Sequence, residues 1–138
     1  MNQKAFTLVE LLAVIVLISV ITVIAVPLVK FANKQINEKN FDAKKEVITQ
    51  AAEDYGEDYK EIILYSDLAP TCTVHTSNPC IRVKVSDLMN NGYLTKDPNE
   101  KTNVIRNPKN DASMNSYYIE IYIKHNRAYA DLVGNGWQ

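Results

Sequence analysis

Residues 5–29 read AFTLVELLAVIVLISVITVIAVPLV, 25 residues between Lys4 and Lys30 that carry one charge, Glu10. At 1.5 Å per residue, a helix of that length covers the roughly 30 Å hydrocarbon core of a bilayer, so the segment is read as a membrane span. A secretory signal peptide has an apolar core of only about 7–15 residues closed by a small-x-small site, and this run is longer. A plain anchor accounts for the length but not for Glu10, because a carboxylate at bilayer depth costs on the order of 3 kcal/mol even on lenient scales. From Lys30 onward 109 residues remain, room for one small domain and no more.

The string Lys4-Ala5-Phe6-Thr7-Leu8-Val9-Glu10-Leu11-Leu12, followed by an unbroken apolar helix with Pro27 near its end, resembles the N-terminal signature of type IV pilins and the related pseudopilins. That resemblance implies cleavage between Ala5 and Phe6 by an aspartyl prepilin peptidase in the membrane, with methylation of the new amine. It also implies that Glu10, fifth after the cut, pairs with the terminal amine of a neighbouring subunit. The pairing is physically sensible, since amine and carboxylate are each costly in lipid and neutralise one another when they meet. The family usually has Gly before the cut, and this chain has Ala5.

The same resemblance assigns residues 1–5 to a leader, 6–30 to the transmembrane and filament-core half of a helix, and 31–138 to an extracytoplasmic unit. Pro27 removes one helical hydrogen bond and crowds the carbonyl four residues back. In the family this region melts as the subunit enters the filament. Lys4 on one side against Lys30, Lys34 and Lys39 on the other says little about topology, so a cytoplasmic N-terminus comes from the resemblance. So do the expected partners: further copies in a helical filament, the prepilin peptidase, a cytoplasmic assembly ATPase, a membrane platform protein and the membrane.

The net charge of −1 excludes nucleic-acid binding driven by bulk charge. Its distribution is uneven: +3 over residues 30–45, −6 over 46–80 and +2 over 81–138, which suits packing against a neighbour as well as a solvated acidic helix face. Two cysteines, Cys72 and Cys80, offer one pairing. Outside the cytoplasm a disulfide is the default, worth about 2.5 kcal/mol for so short a loop on the chain-entropy model, and in a reducing space the thiols stay free. His75 lies between them, but two Cys and one His lack a fourth ligand and match no zinc spacing.

Apolar positions continue past the span at Phe41, Val47/Ile48, Ala51/Ala52, Tyr55, Tyr59 and Ile62/Ile63, a 3.6-residue stripe that carries the helix on to an end between Tyr59 and Tyr65. Gly56 weakens it by about 1 kcal/mol relative to Ala. Ser66-Asp67-Leu68-Ala69-Pro70 breaks the pattern. Ile81 to Val85 alternates as a strand with Ile81, Val83 and Val85 inward, and Ser86 is placed to cap a short helix, Asp87 to Asn90, stopped by Asn91-Gly92. Asp97–Glu100 and Asn107–Asn110 are turn chemistry. Tyr117 to Lys124 is a strand with Ile119, Ile121 and Ile123 on one face and Tyr118, Glu120 and Tyr122 on the other, and His125-Asn126 turns it back into Ala128 to Val133. The fold expected is α+β: a long N-terminal hydrophobic helix, the pilin lollipop, packed on an antiparallel sheet of about three strands. The stretch Val85 to Leu94, VSDLMNNGYL, also resembles one found in pilin-like units of Gram-positive bacteria.

No catalytic constellation is present: His75 and His125 stand in loop or turn contexts without a neighbouring nucleophile, and no enzyme activity is expected. Asp97, Asn99 and Glu100 offer oxygen ligands, and some pseudopilins hold calcium in such a loop, but the spacing is not that of a calcium loop, and they read as turn residues. No cofactor or metal is expected. Tyr117, Tyr118, Tyr122, Tyr129 and Trp137 interleave with Lys124 and Arg127, the composition of a single-strand stacking surface or simply of tyrosine-rich strands, so weak DNA contact stays open. The sequence points to a filament subunit, for secretion, adhesion, motility or DNA uptake (competence), with a single-span anchored adhesin as the alternative.

Overall fold

The computed structural model describes residues 7–65 and 72–134. The chain divides between Asn37 and Glu38 into two units. One helix, α1 (Leu8–Asp58), passes through both, followed by α2 (Lys60–Tyr65), β1 (Cys80–Lys84), α3 (Val85–Asn90), β2 (Tyr118–Lys124) and β3 (Arg127–Gly134). The strands form one antiparallel sheet in the order β1-β2-β3. The architecture is α+β and pilin-like.

In the N-terminal unit, α1 is apolar on every face and long enough to cross a membrane. Its polar side chains turn inward on the backbone: Ser19 Oγ donates to Ile15 O at 2.7 Å and Thr22 Oγ1 to Ile18 O at 2.8 Å. Such back-bonding satisfies hydroxyls that would find no water in lipid. The helix continues through Pro27, where the missing N–H removes the bond usually made to Val23 O.

In the C-terminal unit, α1 buries Ile48, Ala51, Ala52 and Gly56 against the sheet. The inward stripe is narrower than the apolar pattern: Val47 and Ile62 are exposed. Val47 lies 100° round the helix from Ile48, outside the arc that touches the sheet. The helix breaks at Tyr59, and the short α2 that follows turns Ile63 inward instead of Ile62.

Gly56, unfavourable for the helix by propensity, serves the fold as a point of close approach. A Cβ added there would lie 2.6 Å from Ile121 Cγ2 and 2.8 Å from Ala128 Cβ. Two residues that follow Gly56, Glu57 at the end of α1 and Lys60 at the start of α2, tie this end of the helix to the hairpin. Glu57 Oε1 accepts from Ala128 N at 2.7 Å, and Lys60 Nζ donates to Asn126 O at 3.1 Å. Ile119, Ile121 and Ile123 face the helix and are buried with Ala128 and Ala130. His125 and Asn126 both adopt positive φ (50° and 63°), the two-residue type I′ turn that matches strand twist.

Two boundaries differ from the sequence pattern. β1 ends at Lys84, and Val85, still buried, opens α3. Ser86 is therefore inside the helix and is not its cap. The first-turn amides are satisfied by the incoming chain, Val85 N donating to Tyr117 O and Ser86 N to Asn115 O, both at 3.0 Å. Asp87 reaches back to accept from Lys84 N at 3.0 Å. The stop is as read: Gly92 (φ 83°) closes a Schellman turn in which Tyr93 N donates to Leu88 O at 2.9 Å.

A Gly56→Ala substitution tests the close approach. The gain of about 1 kcal/mol in helix propensity is outweighed by overpacking against Ile121 and Ala128, for a net loss of about 1–3 kcal/mol. The urea midpoint of the full chain in detergent micelles should fall, and a midpoint at or above wild type would show that the sheet yields freely.

Candidate functional site

Of the residues that the sequence resemblance assigns to processing and assembly, Glu10 and Pro27 lie in α1. Ala5 and Phe6 lie outside the described residues. Glu10 stands in the first turn of α1, where the helix dipole favours an acid. It is not a bare charge: Thr7 N and Thr7 Oγ1 both donate to Glu10 Oε2 at 2.9 Å, and Glu10 N donates to Thr7 Oγ1 at 3.3 Å. This is a capping box, which satisfies otherwise orphaned donors at the helix start. The sequence signal for it, Thr-x-x-Glu before an apolar run, was available at Thr7 and went unread. The Thr7 hydrogen bonds reach one carboxylate oxygen, Oε2, and the charge remains.

A second constellation gathers on the face of the sheet opposite α1. Cys72 and Cys80 are joined by a disulfide with Cα atoms 6.2 Å apart, so their sulfurs offer no thiolate ligands. Beside them Glu120 is fully buried. Its Oε1 accepts from Thr73 N, Thr73 Oγ1 (2.8 Å) and Arg82 Nη2 (2.7 Å), and its Oε2 from Val74 N (2.9 Å) and His75 N (3.1 Å). Three consecutive backbone amides thus converge on one carboxylate, an anion nest closed by a guanidinium. Burial alone pushes the Glu120 carboxyl up, but the Thr73 amide, Arg82, the Val74 amide and the Thr73 hydroxyl outweigh it and hold the group at about 2. Strand alternation placed Glu120 among outward residues. It gave no sign that the disulfide loop would fold over that face.

His75 belongs to the same layer and is no free surface histidine: its ring stacks on Tyr122 at 3.7 Å, and its Nε2 lies 2.7 Å from Asp131 Oδ2. Tyr122 in turn stacks on Tyr129 at 5.7 Å. Arg82 and Lys84 lie 5.5 and 5.6 Å from the centre of the Tyr118 ring, and Arg127 lies 5.8 Å from that of Tyr129. Tyr117 is elsewhere, its hydroxyl accepting from Asn107 Nδ2 at 3.3 Å. Trp137 lies outside the described residues, and Lys124 is exposed at the end of β2.

The acidic turn is likewise occupied by the protein's own cations. Asp97 Oδ2 accepts from Lys44 Nζ at 2.7 Å and Arg106 N at 2.8 Å, and Glu100 Oε1 accepts from Arg106 Nε at 2.6 Å. These contacts fasten the loop to α1, and the carboxylates serve as anchors.

With this geometry in hand, the comparison with known families is specific to one end of the chain. Residues 1–26 match the model of the prokaryotic N-terminal methylation motif. This is the prepilin-type signal of type IV pilins and pseudopilins. No curated protein and no solved structure matches the chain.

The nest makes acid stability predictable. Glu120 titrates at about 2 in the folded chain against an ordinary value of 4.5. Its stabilisation is therefore complete above about pH 4.5 and is lost as the pH falls toward 2. Glu120→Gln keeps the shape but turns an amide toward backbone donors, which should cost about 2–3 kcal/mol at neutral pH and flatten the acid limb. Unfolding curves of the full chain between pH 2 and 7 measure both; an acid limb unchanged in the variant would remove Glu120 from the account.

Proposed function

We propose that this chain is a structural subunit of a type IV pilus-like or pseudopilus filament. A prepilin peptidase cuts between Ala5 and Phe6, the amine of Phe6 is methylated, and the subunit waits in the membrane with residues 31–138 on the extracytoplasmic side. A cytoplasmic ATPase and a membrane platform protein then draw it into a helical, surface-assembled filament in which the span becomes the core.

The observation that carries this reading is a methylation motif joined to an apolar helix whose first turn holds Glu10. In a lone anchor that charge is a net cost of about 3 kcal/mol. In a filament the cut supplies its counter-charge: an amine at Phe6 of one subunit meets Glu10 of the next, and both are neutralised in register. Until then Thr7 donates two hydrogen bonds to Glu10 Oε2 within its own chain. Pro27 is the point at which the helix extends on entering the filament, because the turn preceding it already lacks one hydrogen bond.

The C-terminal unit needs no active site for this role. Among the described residues, the Tyr118, Tyr122 and Tyr129 rings are contacted by His75, by one another and by Arg and Lys side chains, and DNA contact forms no part of the proposal. The disulfide and the Glu120 nest hold the unit together on the outside of the cell.

N-terminal sequencing and mass spectrometry of membrane and filament fractions should find a chain that begins with methylated Phe6. Glu10→Ala should leave cleavage intact and abolish filaments or sharply lower incorporation. Retention of Met1 in assembled filaments, or wild-type function with Glu10→Ala, would point instead to a single-span anchored adhesin.

A further inference from the structure

Within the C-terminal unit, a groove of about 570 Å³ is walled by Ala43, Val47 and Ala51 of α1 and by Leu94, with Glu46 and Asp54 on its rim. A second hollow of about 510 Å³ shares Val47 and Leu94 and prolongs it toward Pro98 and Pro108. Val47, 60% exposed, stands between the two. An exposed Val on an otherwise acidic helix face, beside an apolar trough, is an unpartnered surface.

The same chain carries a second one. Past the hydrocarbon run, Lys30, Asn33, Lys34, Gln35 and Asn37 mark the exit of α1 from lipid, yet Phe31 is 63% exposed and Ile36 54%. No other described part of the chain covers them. The charges of the two surfaces are opposite. Residues 30–39 hold three lysines against Glu38, net +2, while the first groove is lined by two acids, Glu46 and Asp54, and by no base. Lys34, Lys39, Glu46 and Asp54 make no salt bridge among the described residues.

We propose that the occupant of the groove is a second copy of this chain: Phe31 of one subunit enters between Val47 and Leu94 of the next, with Lys34 and Lys39 against Glu46 and Asp54. The proposal rests on the filament reading and supplies a contact outside the membrane that sets which neighbour is engaged. A groove on one copy and a helix segment on the other form a heterologous contact, which propagates instead of closing. Charge of opposite sign along the two surfaces fixes their register, and like charge would oppose a slipped one.

The test uses full-length chains in cells that assemble the wild type. A Phe31→Cys, Val47→Cys double variant is oxidised in sheared filaments and run without reductant, with each single variant as control for exchange with Cys72–Cys80. A ladder of crosslinked multimers in the double variant alone is the expected result. In parallel, Lys34→Glu with Lys39→Glu should lower filament yield at least about tenfold, and adding Glu46→Lys with Asp54→Lys in the same chain should restore most of it. Filaments that form normally in the charge-reversed variant, or that give no ladder, overturn the groove contact while leaving the filament reading intact. Absence of filaments from the unmodified chain, or their persistence in Glu10→Ala, overturns the filament reading itself.

Discussion

A backbone that enters hydrocarbon has to satisfy its own amides, because lipid offers no partner for an open N–H or C=O, and α1 is built around that demand. From Leu8 through Val29 its side chains are apolar on all faces save for Glu10, Ser19 and Thr22, so the helix is held by its own hydrogen bonds and needs no core. Beyond Glu38 the same helix takes on a different task, presenting Ile48, Ala52 and Gly56 to a sheet. The change from an all-round apolar surface to a stripe is what permits one helix to serve two solvents. Every other element is arranged against the striped half.

The sheet meets that half at a spacing set by the absence of a side chain. Gly56 leaves room for Ile121 and Ala128, and Glu57 and Lys60 after it bind the hairpin backbone. On the opposite face the layer is thin. One disulfide loop covers it, held by a carboxylate that accepts from three successive amides. A small unit of this kind has too little apolar area to bury for a second core, and a buried ionic nest plus a crosslink takes its place. The arrangement costs desolvation at Glu120, offset by five donors including Arg82.

Charge in the wrong solvent connects the two ends of the molecule. Glu10, in the first turn of an otherwise apolar helix segment, and Glu120, beneath a loop, are both carboxylates set among apolar neighbours. Glu120 is fully compensated inside the chain. Glu10 has hydrogen-bond donors from Thr7 but no cation among the described residues. The contrast is between a carboxylate compensated by cation and amides of its own fold and one held only by local donors.

Much of this was legible in the residues alone, because it depends on period and solvent. The apolar run, the three strands, the Ile119–Ile121–Ile123 face, the His125-Asn126 turn and the stop at Gly92 all follow from local chemistry that neighbouring residues already express. The prepilin-type signal is local in the same sense. What needed the tertiary structure were the features created by distant segments meeting: Gly56 as a contact point, Glu120 as a nest beneath residues 73–75, His75 stacked on Tyr122, and Asp97 claimed by Lys44 from 53 positions away. A period-two pattern labels a side chain inward or outward, but it cannot tell whether a loop will later cover the outward face. That was decided only when the chain between Cys72 and Cys80 folded back across the sheet.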